Sequence, residues 1–301
     1  MRRFLAFFLV AAMLWGCAPA VPAGDGLTDD LGRVVTVEKP ERVACLLGSF
    51  AQILHLAGGA AVAAPDDAWV DLGLPMGADA VNLGSTKELS LEALFASEPD
   101  LVLASVNSDQ HLQWRETLEA AGISVAYFEV SDFEGYLRLL KVCTELTGRE
   151  ELYEQKGLAV QREIDEAVEK AAARGTNPKV LYLRISGTGV RAKNSKGSVL
   201  GQMLKNLGCV NIADTDGSLL ENLSMEHILL EDPDYIFVVQ QGDDTEGAQE
   251  KLQQFFRENP AWASLTAVRE GRVFQLEKEL YNLKPNDRWG EAYLKLEELL
   301  E

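Results

Sequence analysis

L-S-L-E-A-L-F-A-S-E-P-D-L-V-L-A-S at residues 89–105 and L-S-M-E-H-I-L-L-E-D-P-D-Y-I-F-V-V at residues 223–239 are two copies of one pattern, offset by 134 positions. Leu, Ser, Glu, Pro and Asp recur in register, and so do the apolar positions. Each copy parses alike. Ser90 or Ser224 is placed to cap a short helix, since a Ser side chain accepts from the free N–H groups of the first turn. Leu94 or Ile228 lies on its buried face. Pro99 or Pro233 ends it, because proline cannot continue a helix interior. A strongly apolar strand follows, Leu101–Ala104 or Tyr235–Val239. An internal repeat at this spacing predicts two lobes of similar build.

The flanking sequence supports two α/β lobes with parallel sheets. Arg42–Leu47 and Ala60–Ala64 read as strands around a helix at Ser49–Leu56. A helix near Asp109–Ala121 and a strand at Ser124–Glu129 follow the first copy. In the second half, strands at Lys179–Ile185 and Val273–Gln275 and helices at Val199–Leu207, Ala248–Arg257 and from about Arg288 surround the second copy. Short apolar strands alternating with helices indicate Rossmann-like βαβ units. Between the halves, Glu150–Arg174 lacks proline and is rich in helix formers, with Leu152, Leu158, Ile164 and Val168 as a partial stripe. It predicts a single long helix of roughly 35 Å, a stiff connector that permits only modest flexing of the lobes. The expected domains are residues 27–148, an inter-lobe helix over 149–174, and residues 175–301.

The 301 residues carry a formal net charge of −19, which argues against nucleic acid, because phosphate binding needs clustered Lys and Arg. The N-terminus reads as an address. Arg2 and Arg3 precede the apolar run Phe4–Leu14, a signal-peptide pattern too short for a membrane span. Leu14-Trp15-Gly16-Cys17 resembles a bacterial lipobox, although Trp15 stands where small residues are usual. Residues 1–17 are therefore read as a lipoprotein signal ending at Cys17, whose thiol carries the lipid. Residues 18–26, rich in Ala, Pro and Gly, form a flexible tether. The expected location is outside the cytoplasm, held to the membrane by that lipid. No other covalent cofactor is expected. Cys45, Cys143 and Cys209 read as small buried hydrophobes, and their spacing matches no zinc site.

D-D-L-G-R-V-V-T-V (29–37), P-E-R-V-A-C-L-L-G-S (40–49), the two S-x-E…P-D copies and N-P-A-W-A-S-L-T-A-V-R-E-G-R-V-F (259–274) resemble the helical-backbone solute-binding proteins of importers for iron–siderophores, haem and cobalamin. The resemblance implies a monomeric binding protein, not an enzyme. It would hold a metal chelate between two lobes and pass it to a two-subunit membrane permease driven by a cytoplasmic ATPase. It also implies that Glu92 and Glu226, one per lobe, meet basic pockets on the two permease subunits. An iron–siderophore chelate is the first expectation, and cobamide or haem the alternative.

Ligands of open α/β sheets bind beyond the carboxyl ends of the strands. That rule nominates Ser49, Phe50, Trp69 and Asn107 in the first lobe, and Arg184, Arg191, Lys193 and Gln240 in the second. Y-N-L-K-P-N-D-R-W (281–289) adds Tyr281, Arg288 and Trp289. Clustered cations beside aromatics suit a flat or anionic chelate. The plainer alternative has Arg288 paired with Glu291 and Trp289 in the core. Direct metal binding is not expected from three scattered histidines, His55, His111 and His227, although His111 or Tyr281 could serve as an axial haem ligand. A rival from another class is a NAD-dependent oxidoreductase, suggested by G-T-G-V-R-A (187–192). Its context is poor, because no helix opens inside the motif. A surface protein that keeps the fold for signalling or adhesion is a second rival. No G-x-S-x-G or H-E-x-x-H motif supports a hydrolase.

Overall fold

A computed structural model describes residues 26–37, 39–214, 218–221 and 223–301. The signal segment, Cys17 and the tether up to residue 25 lie outside the described residues. The first lobe opens with a hairpin, β1 (Gly26–Thr28) and β2 (Val34–Thr36). There follow β3 (Val43–Cys45), α1 (Gly48–Leu56), β4 (Ala63–Ala64), α2 (Asp67–Val70) and β5 (Val81–Asn82). A second small hairpin, β6 (Gly84–Ser85) and β7 (Glu88–Leu89), leads into α3 (Leu91–Ala96) and β8 (Leu101–Ser105). Then come α4 (Asp109–Ala120), β9 (Ser124–Phe128) and α5 (Phe133–Thr147). Five of these strands form a parallel sheet in the order β5-β4-β3-β8-β9. Every residue of β8 is buried, as expected for a strand covered on both faces.

The connector is α6 (Glu151–Tyr153), a π-helical turn (Glu154–Leu158) and α7 (Ala159–Ala173) in succession. The single helix expected from the sequence is therefore continuous but carries a π turn. There the Tyr136 hydroxyl donates to the Lys156 carbonyl at 2.8 Å, the kind of side-chain partner that a wider turn admits. Gly157 lets the connector approach α5, since a Cβ would lie 2.9 Å from Leu137.

The second lobe contains β10 (Lys179–Ser186), β11 (Gly189–Ala192), α8 (Val199–Asn206), β12 (Val210–Asn211), α9 (Ser218–Glu221), α10 (Met225–Glu231) and β13 (Tyr235–Gln240). It ends with α11 (Thr245–Glu258), α12 (Thr266–Arg269), β14 (Val273–Leu276), α13 (Lys278–Tyr281) and α14 (Trp289–Leu299). β12, β13 and β14 run parallel to β10 or to one another, and β11 pairs back antiparallel with β10. Thus β4-β3-β8-β9 of one lobe corresponds to β12-β10-β13-β14 of the other.

The repeat holds in detail. Ser90 Oγ accepts from Ala93 N–H at 3.1 Å, and Ser224 Oγ from His227 N–H at 3.4 Å. Leu94 and Ile228 are fully buried. Glu98 and Asp232, each just before the proline, take φ of 45° and 43°, a left-handed conformation uncommon outside glycine. Asp100 accepts from the Arg42 N–H at 3.1 Å and Asp234 from the Lys179 N–H at 2.8 Å. The P-D aspartate of each copy thus fastens the start of the first strand in its lobe's five-stranded sheet, β3 or β10.

The lobes are not separate bodies. α14 packs along α7, and Arg174 meets Glu297 at 2.9 Å with both side chains largely buried. Trp289, fully buried, lies 6.3 Å from Phe133 of the first lobe and 6.4 Å from Tyr293, ring centre to ring centre. One apolar core therefore runs from α1 and α5 through α7 to β10, β13 and α14. Truncating a buried tryptophan removes its contacts and leaves a cavity. Trp289→Ala is expected to lower stability by about 3–5 kcal/mol, checked by urea unfolding.

Candidate ligand-binding cleft

The carboxyl ends of the parallel strands point at one another across the lobes. After β3 comes Ser49, after β4 Asp67, after β8 Asn107 and after β9 Ser131. Facing them are Arg184 of β10, Ser198 ahead of α8, and Asn282 and Lys284 between α13 and α14. Together they line a cavity of about 380 Å³. A second cavity of about 690 Å³ adjoins it and shares Arg184. It is lined by Arg191, Lys193 and the Gly187–Gly189 turn from the second lobe, and by Lys87 from the β6–β7 turn of the first.

The cleft is cationic in an acidic protein. Lys87, Arg184, Arg191, Lys193 and Lys284 face these two cavities, and none makes an ion pair with a carboxylate among the described residues. The Arg184 guanidinium donates to the Tyr182 hydroxyl at 3.1 Å and leaves its Nε buried without a partner. Burial and the neighbouring Arg184 and Arg191 push the Lys193 ammonium below its ordinary pKa, and burial does the same to Lys284. Four acidic residues line the same cavities, Asp67 and Asp71 the first and Asp243 and Asp244 the second, and Asp244 caps α11 by accepting from the Gly247 N–H at 2.9 Å. Asp71 lies 3.7 Å from Lys278 of the opposite lobe, whose ammonium also holds Asp243 at 2.5 Å, so one lysine bridges the cleft. Asp67 is more confined. Burial, with Asp71 and Asp66 nearby, raises its pKa to about 6, and its Oδ1 has no hydrogen-bond partner.

Of the residues nominated by sequence, Ser49, Asn107 and Arg184 line the first cavity, and Arg191 and Lys193 the second. The others lie elsewhere. Phe50, Tyr281 and Trp289 are buried in the core. Phe50 occupies the inward face of α1, and the Tyr281 hydroxyl donates to the Ala292 carbonyl at 3.1 Å. Arg288 is forked onto Glu291 at 2.7 and 2.9 Å, the plainer alternative. Gln240 closes the turn after β13 by donating to the Gly242 carbonyl and the Thr245 hydroxyl. Trp69 is half-buried against the first lobe's core and lines neither cavity. His111 is buried and lines neither cavity. Its Nδ1 accepts from the Ser105 N–H at 3.1 Å, and burial lowers its pKa to about 4.

Sequence reasoning did not single out Thr86, Lys87, Asp71 or Ser198. Two-residue strands such as β6 and β7 are too short to show periodicity, so the turn that carries Lys87 had no local signal. G-T-G-V-R-A is the turn and outgoing strand of the β10–β11 hairpin, with Gly189 at φ 147°. The helix that a dinucleotide site requires there is replaced by an antiparallel strand. Cys45, Cys143 and Cys209 are free and buried.

The raised Asp67 pKa has a definite sign for stability. The folded protein holds this proton more tightly than the unfolded chain, so stability falls as pH rises from about 4 to about 6 and the penalty is complete above that. Asp67→Asn removes the penalty. Its melting temperature is expected to exceed that of the parent at pH 7.5, with the gap closing as pH is lowered to 4.

Residues 43–280 match the family model for periplasmic binding proteins. The Fe(3+)-citrate-binding protein YfmC of Bacillus subtilis strain 168 is 23% identical over 262 residues, 84% of this chain and 78% of the relative. Among solved structures, Staphylococcus aureus SirA complexed with staphyloferrin B is 20% identical with a TM-score of 0.68, covering 91% of this chain and 96% of that one. S. aureus IsdE complexed with heme is 18% identical with a TM-score of 0.70, covering 86% and 98%. At these identities the structures establish a shared fold. With the match spanning both lobes and the cleft between them, the chain belongs to the periplasmic binding protein family, whose members bind solutes and are not enzymes.

Proposed function

We propose that this protein is the extracytoplasmic binding component of an ABC importer and that its cargo is an anionic iron chelate of the siderophore or citrate type. The observation that carries the reading is a group of cleft cations that make no ion pair among the described residues, Lys87, Arg184, Arg191, Lys193 and Lys284, the last drawn only at longer range to Asp67. Unpaired cations held close together and partly desolvated repel one another, and an anionic ligand relieves that cost through charge-assisted hydrogen bonds. The relatives named for ferric citrate and staphyloferrin B agree in chemistry. Among the described residues no aromatic side chain lines either cavity, which ranks haem and cobamide, flat macrocycles suited to stacking, behind a polar chelate. A monomeric state is part of the proposal, and so is the lipid on Cys17, the latter by analogy with a substrate-binding lipoprotein relative of Bacillus subtilis that is 22% identical over 273 residues.

The test is a fluorescence titration of the soluble chain against ferric citrate, a carboxylate siderophore, cobalamin and haem. Saturable binding of a ferric carboxylate is expected. Arg184→Gln should weaken it by about tenfold or more, in line with the loss of a charged hydrogen bond. Binding of cobalamin or haem alone would overturn the assignment.

Glu92 and Glu226 are proposed to face the two permease subunits. Both are exposed in the first turn of equivalent helices. Two matching carboxylates on two similar lobes suit a two-fold partner, for which charge sets encounter and register. Glu92→Ala/Glu226→Ala is expected to retain ligand affinity and lose uptake in cells. Unimpaired uptake would refute the docking role.

A further inference from the structure

We infer that Phe95 and Leu229, with Leu230 beside the latter, form the apolar half of a duplicated docking surface. Each lobe presents one copy to one of two like membrane subunits. This rests on the reading that Glu92 and Glu226 face the permease. Phe95 is 36% exposed and Leu229 38%, and the two stand at the 134-residue offset that relates the lobes. Leu230 is 78% exposed. Single exposed apolar side chains are ordinary on a protein surface. Their recurrence at the same helical position in both lobes is what calls for a partner, because core packing does not require it: Leu94 and Ile228, one residue earlier, already fill the buried face of each helix.

Each apolar residue lies three positions after its glutamate, so the two share one face of the helix. In a βαβ unit the helix runs antiparallel to the strand that follows. The first turns of α3 and α10 therefore lie at the sheet edges where the cleft opens. In the first lobe the link is short: Thr86 and Lys87 line the cavities, and β7 runs from that turn into the Ser90 cap and Glu92. The surface thus combines a carboxylate with an adjacent apolar knob, twice, on either side of the ligand. The matching partner carries, on each of two equivalent subunits, a basic group next to an apolar recess. The carboxylates steer and register the encounter, and the desolvated apolar contact prolongs it.

The test places the photo-crosslinker p-benzoylphenylalanine at position 95, 229 or 34 of the full chain in its own cells. Val34 is 64% exposed beside Gly122–Val125, at the amino end of β9 and away from the cleft. Adducts to a multi-span membrane subunit, identified by mass spectrometry, are expected from 95 and 229 and not from 34. Glu92→Arg/Glu226→Arg should cut their yield by about tenfold. Yields at 95 and 229 no higher than at 34 would overturn the inference. Strong adducts that survive the charge reversal would uphold the apolar surface and sink the glutamate reading instead.

Discussion

The packing of α14 back onto α7 is the constraint on which the rest of the structure depends. The chain leaves the second lobe after α13 and returns along the connector, and it carries Trp289 into a site beside Phe133 of the first lobe. The Arg174–Glu297 pair, with both side chains largely buried, anchors the far end of the same contact. Burying a charged pair is tolerable only where partners are well placed, and here it joins two helices that apolar packing already holds together. Asn286, at φ 52°, donates to the Ser49 carbonyl and to Gln52, so the floor of the cleft is tied to α1. A connector helix alone would leave the lobes free to tilt about its ends. The returning helix makes connector and lobes share one core, and the strand ends are held facing each other.

That fixed geometry gives the electrostatics their meaning. A chain with net charge −19 has carboxylates in excess, and most exposed cations could find a partner. Those at the cleft do not. Strand direction places them at the carboxyl ends of the strands, among loops of both lobes, and the acidic groups nearby are engaged or disfavoured. Asp71 and Asp243 share Lys278, Asp244 caps α11, and burial disfavours the charged form of Asp67, raising its pKa to about 6. The result is a concave region with positive charge in surplus, bounded by a lysine that joins the two lobes.

The duplicated segment shows how local chemistry becomes global architecture. In each copy the Ser cap starts a helix, the residue at positive φ turns the chain, the proline stops the helix, and the aspartate fixes the first strand of the lobe's five-stranded sheet. Four local devices in seventeen residues thus set both the entry into a central strand and its alignment with a neighbour. Their recurrence makes the lobes similar enough to address a two-fold partner.

Much of this was legible in the sequence because it rests on near neighbours. Helix caps, proline stops, apolar strand runs and the 134-residue register are read within a few residues of one another, and strand ends follow from strand order. Arg184, Arg191, Lys193, Ser49 and Asn107 were found for that reason: each sits at the end of a strand or in a loop beyond one. Which aromatics belonged to the core was not legible. Phe50, Tyr281 and Trp289 lie in loop-adjacent segments like those of the true lining residues, and only the return of α14 to the first lobe decides that they face inward. Lys87 was hidden for the opposite reason, since its short hairpin has no pattern and reaches the cleft only when the lobes are assembled. The sequence by itself determined the elements, their order and the edge of each sheet where a ligand binds. The tertiary structure decided which side chains at that edge meet solvent, because that depends on contacts between residues more than a hundred positions apart.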